Sequence, residues 1–85
     1  MNGLELLTLA VKALVSEPEQ VQIEEKPDEK GTLYVVNVAS ADRGTVIGKG
    51  GTTANALRLI LSIVGHKNGQ MLGMSINPGD DFRYR

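Results

Sequence analysis

The chain has 85 residues, of which 41% are hydrophobic, and its formal net charge at pH 7 is −1. These values are typical of one small folded domain and exclude a disordered chain or a strongly basic protein. The absence of cysteine excludes disulfides and thiolate chemistry. No apolar run reaches membrane-spanning length, and Glu5 and Lys12 interrupt the N-terminal apolar stretch, unlike in a signal peptide. We therefore expect a cytoplasmic protein with no membrane partner.

The first half of the chain predicts one helix followed by a β-hairpin. Apolar residues recur with helical spacing over residues 3–15, and Pro18 should end this helix. Apolar and polar residues then alternate over 20–24, and a β-rich run follows over 33–38. Because the turn-forming residues 27–31 lie between these two runs, we expect an antiparallel pair of strands.

The second half predicts two helices and a third strand. Ser40 is a candidate N-cap for a short helix that runs to Ile47, and Thr52 or Thr53 for a longer helix. The longer helix has a predicted core face of apolar residues at helical spacing, namely Ala54, Leu57, Ile60, Leu61 and Val64. Residues 72–77 then alternate as a strand.

The predicted element order is α-β-β-α-α-β, in an α+β domain over residues 1–78 with a tail at 79–85. A three-stranded sheet with all helices on one face is the simplest way to bury the apolar stripes. Leu33 and Val35 would then point to the outer face of the sheet. There they form either an apolar patch for self-association or ordinary scattered surface apolarity.

The charges divide unevenly along the chain. Residues 1–31 carry seven acidic and three basic residues, whereas residues 32–85 carry three acidic and six basic residues. A polyanion would therefore be bound locally and modestly by the second half, without the broad attraction of a strongly basic protein.

The most informative segment is Val-Ile-Gly-Lys-Gly-Gly at residues 46–51. Its glycines keep side chains away from the backbone just before a helix, where amides and the helix dipole attract phosphate, and Lys49 adds a full charge. A P-loop is excluded because the spacing from Gly44 to Gly48 is one residue too short and no hydroxyl follows Lys49. A dinucleotide fingerprint is excluded because Thr53 replaces its third glycine.

What remains is Gly-x-x-Gly after Val-Ile, the loop with which KH domains clamp about four nucleotides. On the helix exit at 17–21, the strand end at 38–39, the stretch 42–51 and the helix start at 54–58, the chain resembles type II KH domains, and more closely the small bacterial KhpA-type proteins. The resemblance covers residues 4–77. It implies RNA binding without catalysis, in a groove between the glycine loop, the flanking helices and the edge strand.

The resemblance also implies which residues bind RNA. The residues expected to contact the sugar-phosphate backbone are Gly48, Lys49, Gly50 and Gly51. The residues expected to form the apolar floor of the groove are Val46 and Ile47. The candidate contacts on either side of the loop are Arg43, Thr52 and Arg58. Because many relatives have a basic residue where this chain has Thr52, we expect weak affinity. Core packing is an equal alternative for Val46 and Ile47, and a solvated cation is an equal alternative for Arg58. No catalytic residue, metal or cofactor is expected.

Two functions stay open at this point. The first is a single-stranded RNA-binding protein of low sequence specificity, acting as an RNA chaperone or post-transcriptional regulator. The second is an interaction module that forms a homodimer or pairs with a second, larger KH-type RNA-binding protein. Lys49 favours the first, and the acidic first half with Leu33 and Val35 favours the second. Residues 82–85 alternate aromatic side chains and arginine, as either a stacking strip for single strands or a frayed end.

Overall fold

The structure is a computed structural model that describes residues 2–77. The helices are α1 (Gly3–Leu14), α2 (Arg43–Ile47) and α3 (Thr52–Lys67), and the strands are β1 (Gln22–Pro27), β2 (Gly31–Asn37) and β3 (Met71–Asn77). Short 3₁₀ turns occupy Pro18–Gln20, Ser40–Asp42 and Lys49–Gly51. The α+β class and the order α-β-β-α-α-β are confirmed. The predicted stacking strip at 82–85 lies outside the described residues.

The three strands form one mixed sheet in the order β1-β2-β3. β1 and β2 are antiparallel, and Asp28 closes the turn between them by accepting the amides of Lys30 and Gly31 at 2.8 and 3.0 Å. β2 and β3 are parallel, so a long connection has to carry the chain from one to the other. α2 and α3 supply this connection, and the glycine loop (residues 48–51) is the joint between them.

One hydrophobic core joins the helices to one face of the sheet, which confirms the predicted packing. Its sheet residues are Tyr34, Val36, Leu72, Met74 and Ile76, and its helical residues are Leu7, Val11, Val46, Ala54, Leu57 and Leu61. Among the described residues, no helix is long and apolar enough to span a bilayer.

The helix caps are formed by residues other than the candidates Ser40, Thr52 and Thr53. The N-cap of α1 is Asn2, whose side chain accepts the amide of Glu5 at 2.8 Å as part of a capping box. Ser40 caps nothing, because the 3₁₀ turn Ser40–Asp42 leads directly into α2. Neither threonine caps α3, because Gly51 holds the N-cap position in the left-handed conformation, with φ of 79°.

The exposed apolar surface includes one residue of the predicted core face of α3. Ile60 is 44% exposed, and Arg58 and Gly65 take part in the buried face of α3 in its place. Leu33 and Val35 are half-buried and therefore expose less apolar surface than an uncovered sheet face would. Lys26 and Glu24 of β1 stand directly opposite them, where their side chains can cover part of this surface. The large apolar side chains that the described residues expose are Leu9, Leu14, Leu59, Ile60, Ile63 and Met71.

Candidate nucleic-acid interface

The glycine loop is a tight reversal between two helices. Gly48, Gly50 and Gly51 all have positive φ, at 80°, 65° and 79°. The Gly48 amide donates to the carbonyl of Gly44 at 2.8 Å, and the Gly51 amide donates to the carbonyl of Gly48 at 3.0 Å. The Thr52 hydroxyl donates to the carbonyl of Lys49 at 2.7 Å. The loop is therefore ordered by its own hydrogen bonds, although three of its four residues are glycine.

The base and the tip of the glycine loop have opposite surroundings. A Cβ placed on Gly48 would lie 2.7 Å from the amide nitrogen of Thr53 and closer still to the Thr53 hydroxyl. A Cβ placed on Gly50 would meet no atom within 4 Å, and Lys49 and Gly50 are both exposed. The loop thus packs closely at its base and presents an open tip with one cation.

The tip lies at the N-terminus of α3, the longest helix of the described residues, at 16 residues. A helix N-terminus carries a partial positive charge and amides without intrahelical partners. An anion at the tip would therefore meet the Lys49 ammonium and the positive end of α3 together. Within the described residues, no cluster of histidine and carboxylate side chains is suited to hold a metal ion.

The structure distributes the other candidate site residues unevenly. Val46 is 0% exposed, so its side chain belongs to the core and offers no surface to a base. Ile47 and Arg43 are half-buried beside the loop, and Thr52 is exposed. Core packing, which the sequence left as an alternative for Val46, is the role that its burial supports.

Arg58 is the most buried cation among these candidates, with 8% of its surface exposed. Its Nε donates to the carbonyl of Met74 on β3 at 3.0 Å, and its Nη1 donates to the side chain of Asn55 at 3.2 Å. The bond to Met74 ties α3 to an edge strand of the sheet, whereas Asn55 lies on α3 itself. Arg58 is therefore not the solvated cation that the sequence left as an alternative. Little of its side chain is open to a phosphate.

Sequence reasoning missed Asp42, which lies just before α2. It is 4% exposed, and its carboxylate accepts the Ser16 amide and hydroxyl at 3.0 and 2.8 Å and the Glu17 amide at 3.1 Å. The hydrogen bonds from Ser16, with that from Glu17, lower the pKa of Asp42 below its ordinary value of 3.8. The available signal was a single acidic residue at the start of a basic half, which says nothing about a partner 26 residues away.

The element order, the mixed sheet and the glycine loop between α2 and α3 define a KH-like domain. Residues 5–76 match the family model of the KhpA/KhpB KH domain. The chain therefore belongs to this family, as its resemblance indicated.

The curated relatives agree with this assignment. The RNA-binding protein KhpA of Listeria monocytogenes is 38% identical over 72 residues, which cover 85% of this chain and 95% of the relative. The RNA-binding protein KhpA of Chlamydia pneumoniae is 36% identical over 72 residues, covering 85% and 92%. That of Treponema pallidum is 42% identical over 62 residues, covering 73% and 78%. No solved structure matches the chain significantly.

Proposed function

We propose that this chain binds single-stranded RNA at the glycine loop, with low sequence specificity, and acts in the cytoplasm as an RNA chaperone or post-transcriptional regulator. Membership in a family whose curated relatives are named RNA-binding proteins supports RNA as the ligand. The observation that carries the proposal is the open tip at Lys49 and Gly50 in front of α3. The proposal assigns the site a binding role and no catalytic step.

The charges around the loop set the expected strength of binding. Lys49 is exposed, Arg43 is half-buried, and Arg58 is hydrogen-bonded to β3. Lys49 and Arg43 can therefore neutralise about two phosphates, and single strands release about 0.7 counterion for each. We expect log Kd to rise with log salt with a slope of about 1 to 2, which is shallow for a nucleic-acid-binding protein. A much steeper slope would mean that further cations, in the tail or in a second copy, extend the site.

The direct test replaces the open tip by two carboxylates, in Lys49→Asp/Gly50→Asp. Aspartate tolerates the left-handed backbone of Gly50 better than most residues, so the fold should survive. The matched control is Lys26→Gln/Lys30→Asp, which lowers the net charge by the same amount at the hairpin. Fluorescence anisotropy with a labelled single strand gives the affinity, and circular dichroism checks the fold.

We expect the loop variant to lose RNA binding and the hairpin variant to retain it. Equal losses in both folded variants would indicate a general charge effect. Unchanged binding in the loop variant would remove the glycine loop from the site. A parallel titration with single-stranded DNA of the same sequence shows whether the site distinguishes the two polymers.

A second candidate function, self-association, is favoured by the outer face of α3. Leu59, Ile60 and Ile63 are 52%, 44% and 62% exposed on one side of this helix, opposite the side that packs into the core. A helix that is apolar on both sides is normally buried on both. Ile63 also lines an open depression of about 430 Å³ with Met71, so the apolar surface continues onto the start of β3. The exposed side of α3 carries no charged residue before Lys67, so two copies can meet there without repulsion.

The occupant we propose for this face is a second copy of the chain. Analytical ultracentrifugation of the wild type should show a dimer, and Ile60→Lys/Ile63→Lys should be monomeric. The control Leu33→Lys/Val35→Lys tests the outer face of the sheet, which the sequence left open as a site of self-association. A monomeric wild type at high concentration would contradict the proposal, and so would a dimer that only the sheet variant disrupts.

A further inference from the structure

Asp42 is the point at which two distant parts of the chain are joined. Its carboxylate is buried, and a buried charge is tolerated only when its hydrogen bonds are satisfied. Oδ1 accepts the amide and the hydroxyl of Ser16, and Oδ2 accepts the amide of Glu17. Both donor residues lie just after α1, which ends at Leu14 with Val15 as its C-cap. The carboxylate therefore fastens the start of α2 to the end of α1.

The segment that holds Asp42 is itself fixed. The amide of Val15 bonds back to the carbonyl of Val11 at 3.2 Å, so the exit of α1 is ordered. The 3₁₀ turn Pro18–Gln20 begins immediately after Glu17, with the Gln20 amide donating to the Glu17 carbonyl at 3.0 Å. Asp42 is thus bound to an ordered part of the chain. A change in its carboxylate therefore changes the position of α2 relative to α1.

α2 links Asp42 to the glycine loop, and because α2 is short, its position sets the position of the loop. It runs over only five residues, Arg43–Ile47, which is about 7 Å of helix. Asp42 fixes its first end, Val46 near its last end is buried in the core, and Gly48 just after it packs against Thr53 of α3. No flexible linker separates the first end of α2 from the glycine loop, so a displacement of that end also displaces the loop.

We propose that Asp42 is a positioning residue for RNA binding. It holds α2 in the position in which the glycine loop has the conformation that binds a phosphate backbone. The inference rests on the proposed function of that loop. Asp42 is buried and therefore contacts no RNA itself; it raises the fraction of molecules whose loop is competent to bind. Apparent affinity falls in proportion to that fraction.

The test compares Asp42→Asn and Ser16→Ala with the wild type. In Asp42→Asn, an amide group faces the Glu17 amide, donor against donor, while Ser16→Ala removes only the hydroxyl bond. We expect the Kd for a labelled single strand to rise about tenfold in Asp42→Asn, and about twofold in Ser16→Ala. The slope of log Kd against log salt should stay at the wild-type value in both, because the number of phosphates contacted is unchanged.

The control for a general loss of stability is Ile23→Ala. Ile23 packs against the core from β1, at the opposite edge of the sheet from β3. This variant should lose stability and keep its RNA affinity while folded. Wild-type affinity in Asp42→Asn, a changed salt slope in that variant, or an equal loss of affinity in Ile23→Ala would each overturn the proposal.

A readout without RNA separates this proposal from the proposed function. Amide hydrogen exchange reports the loop bonds from Gly48 to Gly44 and from Gly51 to Gly48, and the amide of Leu61, buried inside α3, serves as reference. Exchange at Gly48 and Gly51 should accelerate relative to Leu61 in Asp42→Asn and not in Ile23→Ala. If the wild type does not bind RNA but this pattern holds, the proposed function fails and the loop-ordering role of Asp42 stands. Unchanged relative exchange in Asp42→Asn overturns that role whether or not RNA binds.

Discussion

Gly48→Ala should be the most damaging of the alanine substitutions in and around the glycine loop. Gly48 has φ of 80° and ψ of 164°, a combination that is essentially restricted to glycine. The added methyl group would also lie 2.7 Å from the amide nitrogen of Thr53 and closer to the Thr53 hydroxyl. The substitution therefore meets a backbone penalty and a steric penalty at the same atom.

Two neighbouring glycines separate these penalties. At Gly50, φ is 65° but a methyl group meets no atom within 4 Å, so alanine has only the backbone cost of about 1–2 kcal/mol. At Gly44, inside α2, a methyl group is also in open space and no positive φ is required. Gly44→Ala should thus be neutral or stabilise by about 0.4–1 kcal/mol. Gly48→Ala combines strain of about 1–3 kcal/mol with overpacking of similar size.

Urea unfolding followed by circular dichroism measures the free energy of unfolding of all three variants. The expected order of stability is Gly44→Ala, then Gly50→Ala, then Gly48→Ala, with the last more than about 2 kcal/mol below the wild type. A loss of that size lowers the melting temperature of a domain this small by roughly 8–16 °C. Equal stability of Gly48→Ala and Gly50→Ala would refute the close packing of the loop on Thr53.

Three further predictions follow from single contacts. Arg58→Met should lower the free energy of unfolding by roughly 1–3 kcal/mol in urea unfolding, because the Met74 carbonyl loses its buried donor. Gly65→Ala should cost roughly 1–3 kcal/mol, since its methyl group would lie 2.5 Å from the Gln70 carbonyl, and thermal unfolding measures this. Asp42 has a lowered pKa when folded, so its stabilising contribution is present at neutral pH and lost as the pH falls below about 4. The stability gap between the wild type and Asp42→Asn should therefore narrow from pH 7 to pH 3 in urea unfolding.

The elements of the fold could be predicted because their signals are local. Alternation in the strands, the helical spacing in α1 and the turn around Asp28 each depend on residues a few positions apart. The face of α3 was harder to predict, because Ile60 extends its apolar stripe whereas Arg58 takes a buried place through a bond to β3. That bond depends on a strand 16 residues further along the chain, and apolar spacing carries no information about it.

The location of the candidate site could be proposed from the sequence. Which of its residues are exposed and which are buried could not. The motif identified the glycine loop and the cation at its tip, and both lie together in the structure. It grouped Val46 with Ile47, although only Ile47 retains exposed surface. It gave no reason to single out Asp42, whose partners Ser16 and Glu17 lie 26 and 25 residues earlier in the chain.

The three glycines of the loop illustrate why composition alone is insufficient. All have positive φ, so each satisfies the same backbone rule. Gly48 is required in addition for contact with α3, whereas Gly50 is required only for its positive φ and stands in open space. That open space and the exposed Lys49 beside it leave the tip accessible to an anion. The pairing of a closely packed base with an open, charged tip is therefore the geometry that supports the proposed binding of RNA at this loop.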